Sequence, residues 1–300
     1  MDVVKEIRRL AVEKNALILA HNYQRPEIQD IAHHTGDSLE LARIAAANDA
    51  RLIVFCGVHF MAESAAIIAP GKKVVLPDPG AGCPMADMAS ADDLAEMKRV
   101  HPGAAVVTYI NSTAAVKALS DVCCTSANAV KIVQRVDARE IIFVPDKNLG
   151  HYVSRFTDKK IIFWKGFCPT HERFTVEQLE AVRARHPDAL VMVHPECRSE
   201  VVDSADEVLS TGGMVKFVKT AGSRKIIVGT EVGMLHRLKA EAPDIEFIPA
   251  SDSFLCPNMK KITLEKLHAA LRDEAPVITV QDDVARRAAG CLEKMLELSK

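Results

Sequence analysis

Val106-Val107-Thr108-Tyr109-Ile110-Asn111 is a continuous apolar run that ends in polar side chains. Leu17-Ile18-Leu19-Ala20-His21-Asn22-Tyr23 precedes it and Val191-Met192-Val193-His194-Pro195-Glu196 follows it; His21, Tyr109 and His194 stand 88 and 85 residues apart. Ser38, Ser126 and Thr211 keep the same two offsets, as do the apolar runs opening at Ile53, Ile141 and Ile226. Three cysteine–proline pairs, Cys83-Pro84, Cys168-Pro169 and Cys256-Pro257, recur at 85 and 88 residues. Each cysteine follows its hydroxyl residue by 45, 42 and 45 positions, so one deletion of three residues in the middle copy explains the whole pattern. Self-similarity at a fixed period marks a chain built from copies of one unit.

Within a copy, a helix with apolar spacing comes first: Val4 to Glu13, Leu94 to Val100, Val176 to Arg185. His101-Pro102 and His186-Pro187 stop the later two. A short apolar run follows, then a loop and a second helix, then two more strand-like runs with a helix between them. Strands alternating with helices predict an α/β fold of αβα sandwiches with parallel sheets. The runs are continuous rather than alternating, as strands buried on both faces require. Three modules are expected, at 1–88, 89–172 and 173–259. A fourth opening helix, Thr263 to Arg272, keeps the phase of Ser90 and Thr175 but has no sheet after it. Residues 260–300 are therefore expected to close back onto the first module.

Composition narrows the function. With 38 basic against 40 acidic side chains and no long basic run, a nucleic-acid surface is not expected. No apolar stretch is long enough to span a membrane, and MDVVKEIRR has no apolar signal core. Eight cysteines in such a chain point to a reduced, cytoplasmic protein rather than a disulfide framework.

In parallel α/β sheets, ligands bind beyond the carboxyl ends of the strands. There the copies place His21, Asn22 and Tyr23, then Tyr109 and Asn111, then His194 and Glu196. Ser38, Ser126 and Thr211 begin the following helices, where free N–H groups and the helix dipole favour phosphate or carboxylate. Each could be an ordinary N-cap, but their common register favours function. If the copies meet about a pseudo-threefold axis, three anion-binding helix ends and three thiols share one cavity. Glu196, after the restrictive His194-Pro195 step, is the candidate general base. His33, His34, His59, His101, His186, His236 and His268 have no such support and read as structural. Cys56, Cys123, Cys124 and Cys197 fall outside the register and read as small buried hydrophobes, although Cys197 is close enough in sequence to line the cavity.

Three thiolates suit zinc or an iron–sulfur cluster. Zinc could take His171, of Cys168-Pro169-Thr170-His171, as a fourth ligand. A cluster held by three cysteines would keep one iron open as a Lewis acid. A zinc-dependent hydrolase or lyase therefore remains an alternative, as does a non-catalytic scaffold with structural cysteines.

Ala20-His21-Asn22-Tyr23-Gln24, Gly36-Asp37-Ser38-Leu39, Tyr109-Ile110-Asn111-Ser112, Thr125-Ser126-Ala127-Asn128-Ala129, Pro145-Asp146-Lys147-Asn148-Leu149-Gly150, Val193-His194-Pro195-Glu196-Cys197, Ser210-Thr211-Gly212 and Cys256-Pro257-Asn258-Met259-Lys260 together resemble quinolinate synthase, the A protein. The resemblance covers nearly the whole chain. It implies three αβα modules in a triangle about a central site and one [4Fe-4S] cluster on Cys83, Cys168 and Cys256. It also implies condensation of iminoaspartate (iminosuccinate) with dihydroxyacetone phosphate to give quinolinate, phosphate and water, for NAD biosynthesis. The substrate-binding positions it implies are His21, Ser38, Tyr109, Asn111, Ser126, His194, Glu196 and Thr211. His21, Tyr23, Tyr109 and Glu196 become candidates for moving protons. An aspartate oxidase or dehydrogenase would supply the unstable imine. Some bacterial members carry a C-terminal Cys-x-x-Cys-x-x-Cys; here only Cys291 stands in that region, so a redox switch on that motif is not expected.

Overall fold

The computed structural model describes residues 2–300. Twelve strands form three four-stranded sheets. The first contains β1 (Ala16–His21), β2 (His34–Gly36), β3 (Leu52–Cys56) and β4 (Lys73–Val75). The second contains β5 (Ala105–Tyr109), β6 (Val122–Cys124), β7 (Glu140–Val144) and β8 (Lys160–Phe163). The third contains β9 (Leu190–Val193), β10 (Glu207–Val208), β11 (Lys225–Gly229) and β12 (Glu246–Pro249). Their orders are β2-β1-β3-β4, β6-β5-β7-β8 and β10-β9-β11-β12, and all of these pairings are parallel. The expected α/β architecture of three repeated αβα modules is therefore present, with one topology used three times.

Leu52, Ile53, Val54, Phe55 and Cys56 are all buried along β3, and Ile141 to Val144 along β7. Such runs have no solvent face, which is why they read as continuous rather than alternating. The opening helix Val3–Glu13 turns Ile7, Leu10 and Ala11 to the core, at the spacing of one helical face, and Asp2 caps it by accepting from the Val4 N–H at 3.1 Å.

Each sheet has one strand more than the sequence reading gave it. β2, β6 and β10 are two or three residues long and sit at an edge, just before Ser38, Ser126 and Thr211. Segments so short carry no measurable period. Their pairing is imposed by the neighbour, as in His21 opposite Gly36 and Tyr109 opposite Cys124.

The chain after 260 divides its packing. Helix Leu264–Asp273 lies on Val3–Glu13 and β3. Residues 276–278 then run antiparallel beside β4: the Leu76 N–H donates to the Pro276 carbonyl at 3.3 Å and the Ile278 N–H to the Val74 carbonyl at 2.8 Å. That segment covers an otherwise open sheet edge. Between the two stands Glu274, whose carboxylate accepts from Arg51, Lys73 and Lys14 at 2.7, 2.8 and 3.1 Å. The last helix, Asp282–Leu298, lies across His59–Ile68 of the first module and across β6, Ala114–Lys117 and Ala129–Arg135 of the second, with Cys291 Sγ 2.9 Å from Cys123 Sγ. It thus clasps two modules rather than one. No helix among the described residues is long and apolar enough to cross a membrane.

Phe143 is fully buried in the middle of β7. Phe143→Ala is expected to lower stability by about 3–5 kcal/mol, through lost burial and the cavity left behind. Urea unfolding checks it, and a loss below about 1 kcal/mol would contradict the packing described.

Candidate active site

The strand ends build the site. β1 ends at His21, β5 ends at Tyr109, and β9 delivers the turn His194-Pro195-Glu196. Twelve of the side chains singled out in the sequence line one cavity of about 150 Å³: His21, Tyr23, Ser38, Tyr109, Asn111, Ser126, His194, Glu196 and Thr211, with Cys83, Cys168 and Cys256; Asn22 is not in its lining. Cys197 is not among its lining. It is fully buried on the other side of its turn, with Sγ 3.6 Å from the Gly229 carbonyl.

The hydroxyl residues are free for this role because their neighbours do the capping. Asp37 caps helix Ser38–Ala47 by accepting from the Glu40 N–H at 2.9 Å, and Ser210 caps Thr211–Val218 by accepting from the Gly213 N–H at 3.0 Å. Ser38 and Thr211 are thus first helical residues, not caps. Thr211 Oγ1 accepts from Asn22 Nδ2 at 3.0 Å. Ser126 lies in the turn before helix Ala129–Arg135, 3.2 Å from His194 Nε2.

One hydrogen-bonded chain crosses the cavity and draws on all three sheets. The Tyr109 hydroxyl donates to Glu196 Oε1 at 2.7 Å. Glu196 Oε2 is 2.9 Å from His171 Nδ1, and His171 Nε2 is 2.9 Å from Thr230 Oγ1. Thr230 Oγ1 is 2.6 Å from the Tyr23 hydroxyl. Tyr23 packs edge-on against His21, with ring centroids 4.6 Å apart, and its N–H donates to His21 Nδ1 at 3.1 Å. Beneath Tyr23, buried Glu231 accepts from Lys260 Nζ at 2.9 Å and from the Cys256 N–H at 3.1 Å, which fixes the third cysteine loop.

Thr230, Glu231 and Lys260 were not foreseen, and His171 was foreseen only as a zinc ligand. Thr230, Lys260 and His171 have no counterpart of like chemistry in register, so the repeat could not mark them; Glu231 has one, because buried Asp146 stands 85 residues before it and likewise accepts from the N–H two residues on.

Burial works against a charge on Glu196. His194, His171 and the Tyr109 hydroxyl outweigh it and hold the carboxyl down to about 2. Burial lowers His194 to about 4 and His21 to about 3. These directions compete, because a neutral imidazole offers Glu196 no full positive charge. At neutral pH the carboxylate is therefore held by the O–H and N–H donors in contact with it, with both histidines neutral. Burial, then the Glu196 charge, pushes the Tyr23 and Tyr109 hydroxyls well above their usual range, so both stay protonated donors.

Burial likewise pushes the Cys83 thiol up to about 12 and raises Cys168 and Cys256. Backbone N–H groups of the turns that Cys83-Pro84 and Cys256-Pro257 open partly offset this. Three partly buried thiols that line one cavity, with only Cys168 beside a base, His171 Nδ1 at 3.2 Å, are a donor set that suits a soft cation. Cys168 Sγ, a His171 nitrogen and a Glu196 oxygen also lie within 4.8 Å of one another, a compact group able to hold a single ion.

The chain matches the family profile described as quinolinate synthetase A protein over residues 5–297. It belongs to that family. It is 54% identical over 294 residues to the quinolinate synthase of Methanoregula boonei, covering 98% of this chain and 97% of that one. The quinolinate synthase of Geobacter sp. strain M21 is 54% identical over 295 residues, with 98% and 97% covered. That of Thermodesulfovibrio yellowstonii is 52% identical over 296 residues, with 98% of each covered. The quinolinate synthetase family is thus matched by whole chains, and the cavity at the three sheet ends lies wholly within the matched region.

Stability is expected to fall as the pH drops from about 6.5 toward 4. Unfolded histidine, at 6.5, takes up protons across that window, whereas folded His21 and His194 do so only near 3 and near 4. Glu196 acts lower: its contribution is present above 4.5 and is lost as pH falls toward about 2. His194→Gln should flatten the slope between pH 6.5 and 4 in thermal melts. An unchanged slope would mean that His194 is not held neutral.

Proposed function

We propose that the chain is a quinolinate synthase of NAD biosynthesis, condensing iminoaspartate with dihydroxyacetone phosphate to quinolinate, phosphate and water. The observation that carries this reading is the buried Glu196 carboxylate, bonded to Tyr109 and His171 in a cavity where three thiols and three uncapping hydroxyls also meet. One substrate brings two carboxylates and the other a phosphate. Ser38, Ser126 and Thr211, at or beside helix starts, suit those three anionic groups, with His21, Asn111 and His194 between them. The reading divides the chain at 88/89, 172/173 and 259/260, so that each module gives one thiol and one hydroxyl residue.

Ring formation needs protons removed from carbon and nitrogen and returned to leaving oxygens. Glu196 is the base: it is ionised, buried and in contact with a protonated tyrosine. The run Tyr23–Thr230–His171–Glu196 lets a proton move between opposite walls without bulk water. His21, held neutral, accepts or donates on the Tyr23 side. Cys83, Cys168 and Cys256 would hold a [4Fe-4S] cluster through one thiolate each, which supplies a Lewis-acidic iron for dehydration. The compact Cys168, His171 and Glu196 group favours a second reading, a zinc-dependent hydrolase or lyase. A cytoplasmic site of action, with the imine supplied by an aspartate oxidase or dehydrogenase, fits a chain whose eight cysteines are all free.

Protein purified without oxygen is expected to be brown, to contain iron and sulfide, and to form quinolinate; a colourless zinc protein without that activity would replace this reading by the second. Cys83→Ala, Cys168→Ala or Cys256→Ala should each lose the iron while staying folded. Glu196→Gln should keep the iron and lose turnover by about 100-fold or more, and near-parental rates would remove Glu196 from the mechanism.

A further inference from the structure

A second cavity, of about 540 Å³, lies between helices Ser38–Ala47 and Thr211–Val218 on the far side of the wall that carries Thr211. Asp37 lines both cavities, and Asn22, bonded to Thr211, lines the second. A Cβ on Gly212 would stand 2.4 Å from Asp37 Oδ2, so only glycine lets this carboxylate close against the neighbouring helix. Asp37 is the one residue common to both linings.

The sequence repeat gives this second space its charge. Each of Ser38, Ser126 and Thr211 is followed five residues later by a base: Arg43, Lys131 and Lys216. Lys131 is spent elsewhere, donating to the Ser299 carbonyl at 3.1 Å. Arg43 and Lys216 line the second cavity, and among the described residues neither has an ion pair or a side-chain hydrogen bond. Two further bases on its wall, Lys219 and Arg237, share Glu241 at 2.8 and 2.7 Å, while Arg237 Nε is buried with no partner. Two acids, Asp37 and Glu40, share this lining, and Glu40 feels the charges of Arg237 and Lys216, so the four bases outnumber the acids of the wall. Unpaired bases in a recess beside a site for polyanions concentrate anions by their field.

We propose that the second cavity is an anion-collecting antechamber, in which Arg43 and Lys216 take up a phosphate monoester before it enters the active cavity. The proposal rests on the reading that the substrates are anions. Its test uses the anaerobically prepared holoenzyme and the double variant Arg43→Ala/Lys216→Ala. At low ionic strength, kcat/KM for the phosphorylated substrate should fall about tenfold with little change in kcat, and the parent's decline with added salt should flatten. Arg43→Lys/Lys216→Arg should restore both. Crystals of the parent soaked in selenate should carry an anomalous peak between Arg43 and Lys216 that the alanine variant lacks. Equal kcat/KM and salt slopes in parent and variant would overturn the proposal, as would a second cavity free of selenate. If the parent forms no quinolinate, the functional reading falls and the selenate experiment alone decides the antechamber.

Discussion

A carboxylate with 3% of its surface exposed, Glu196, is the charge around which the three modules are arranged. A buried, unpartnered carboxylate would not stay ionised. Its partners come from separate places: Tyr109 from the end of β5, and His171 from the turn that Cys168 opens. His171 continues through Thr230, beyond β11, to Tyr23, beyond β1. The contacts that satisfy one charge therefore also fix the three sheets relative to one another. The geometry of the cavity and the joining of the modules share these bonds, and loss of one partner leaves a buried charge uncompensated at a cost of about 3–5 kcal/mol.

The hydroxyl residues show how a repeated unit relieves a side chain of capping. A serine or threonine at a helix start normally spends its oxygen on the helix's own N–H groups. Here Asp37 and Ser210 meet that demand one residue earlier. Ser38 and Thr211 are thereby spared the cap and line the cavity beside the positive end of the helix, with Thr211 Oγ1 accepting from Asn22.

Much of this was legible in the sequence because the repeat supplied a second and third reading of every segment. The opening helix predicted at Val176 to Arg185 is found at Val176–Arg185, and the one read from Val4 is Val3–Glu13. The register also separated Cys83, Cys168 and Cys256 from five other cysteines of equal chemistry. It failed where the copies differ or the signal is too short. β2, β6 and β10 are too brief to show a period, and they form because a longer strand offers them partners. Asp37 and Ser38 are both good caps, so the division of labour between them is fixed only by the backbone geometry. Thr230 and Lys260 serve one copy alone, and only tertiary contact identifies them, whereas Glu231 repeats Asp146 at 85 residues.

The departures from threefold symmetry are what make a single site out of three equal modules. Equivalent strand ends carry His21, Tyr109 and His194, so the corners of the cavity differ in basicity and reach. The chain's end deepens the difference. Asn128 Nδ2 donates to Ser299 Oγ at 2.7 Å, Arg135 to the Leu298 carbonyl at 2.7 Å, and Lys131 to the Ser299 carbonyl. The second module's helix Ala129–Arg135 is thereby closed over by residues that have no counterpart in the other copies. The gap between the first and third modules' helices stays open, lined by Arg43 and Lys216. Three copies of a charged helix thus leave a basic recess beside the cavity, and the asymmetry follows from where Leu298 and Ser299 come to rest.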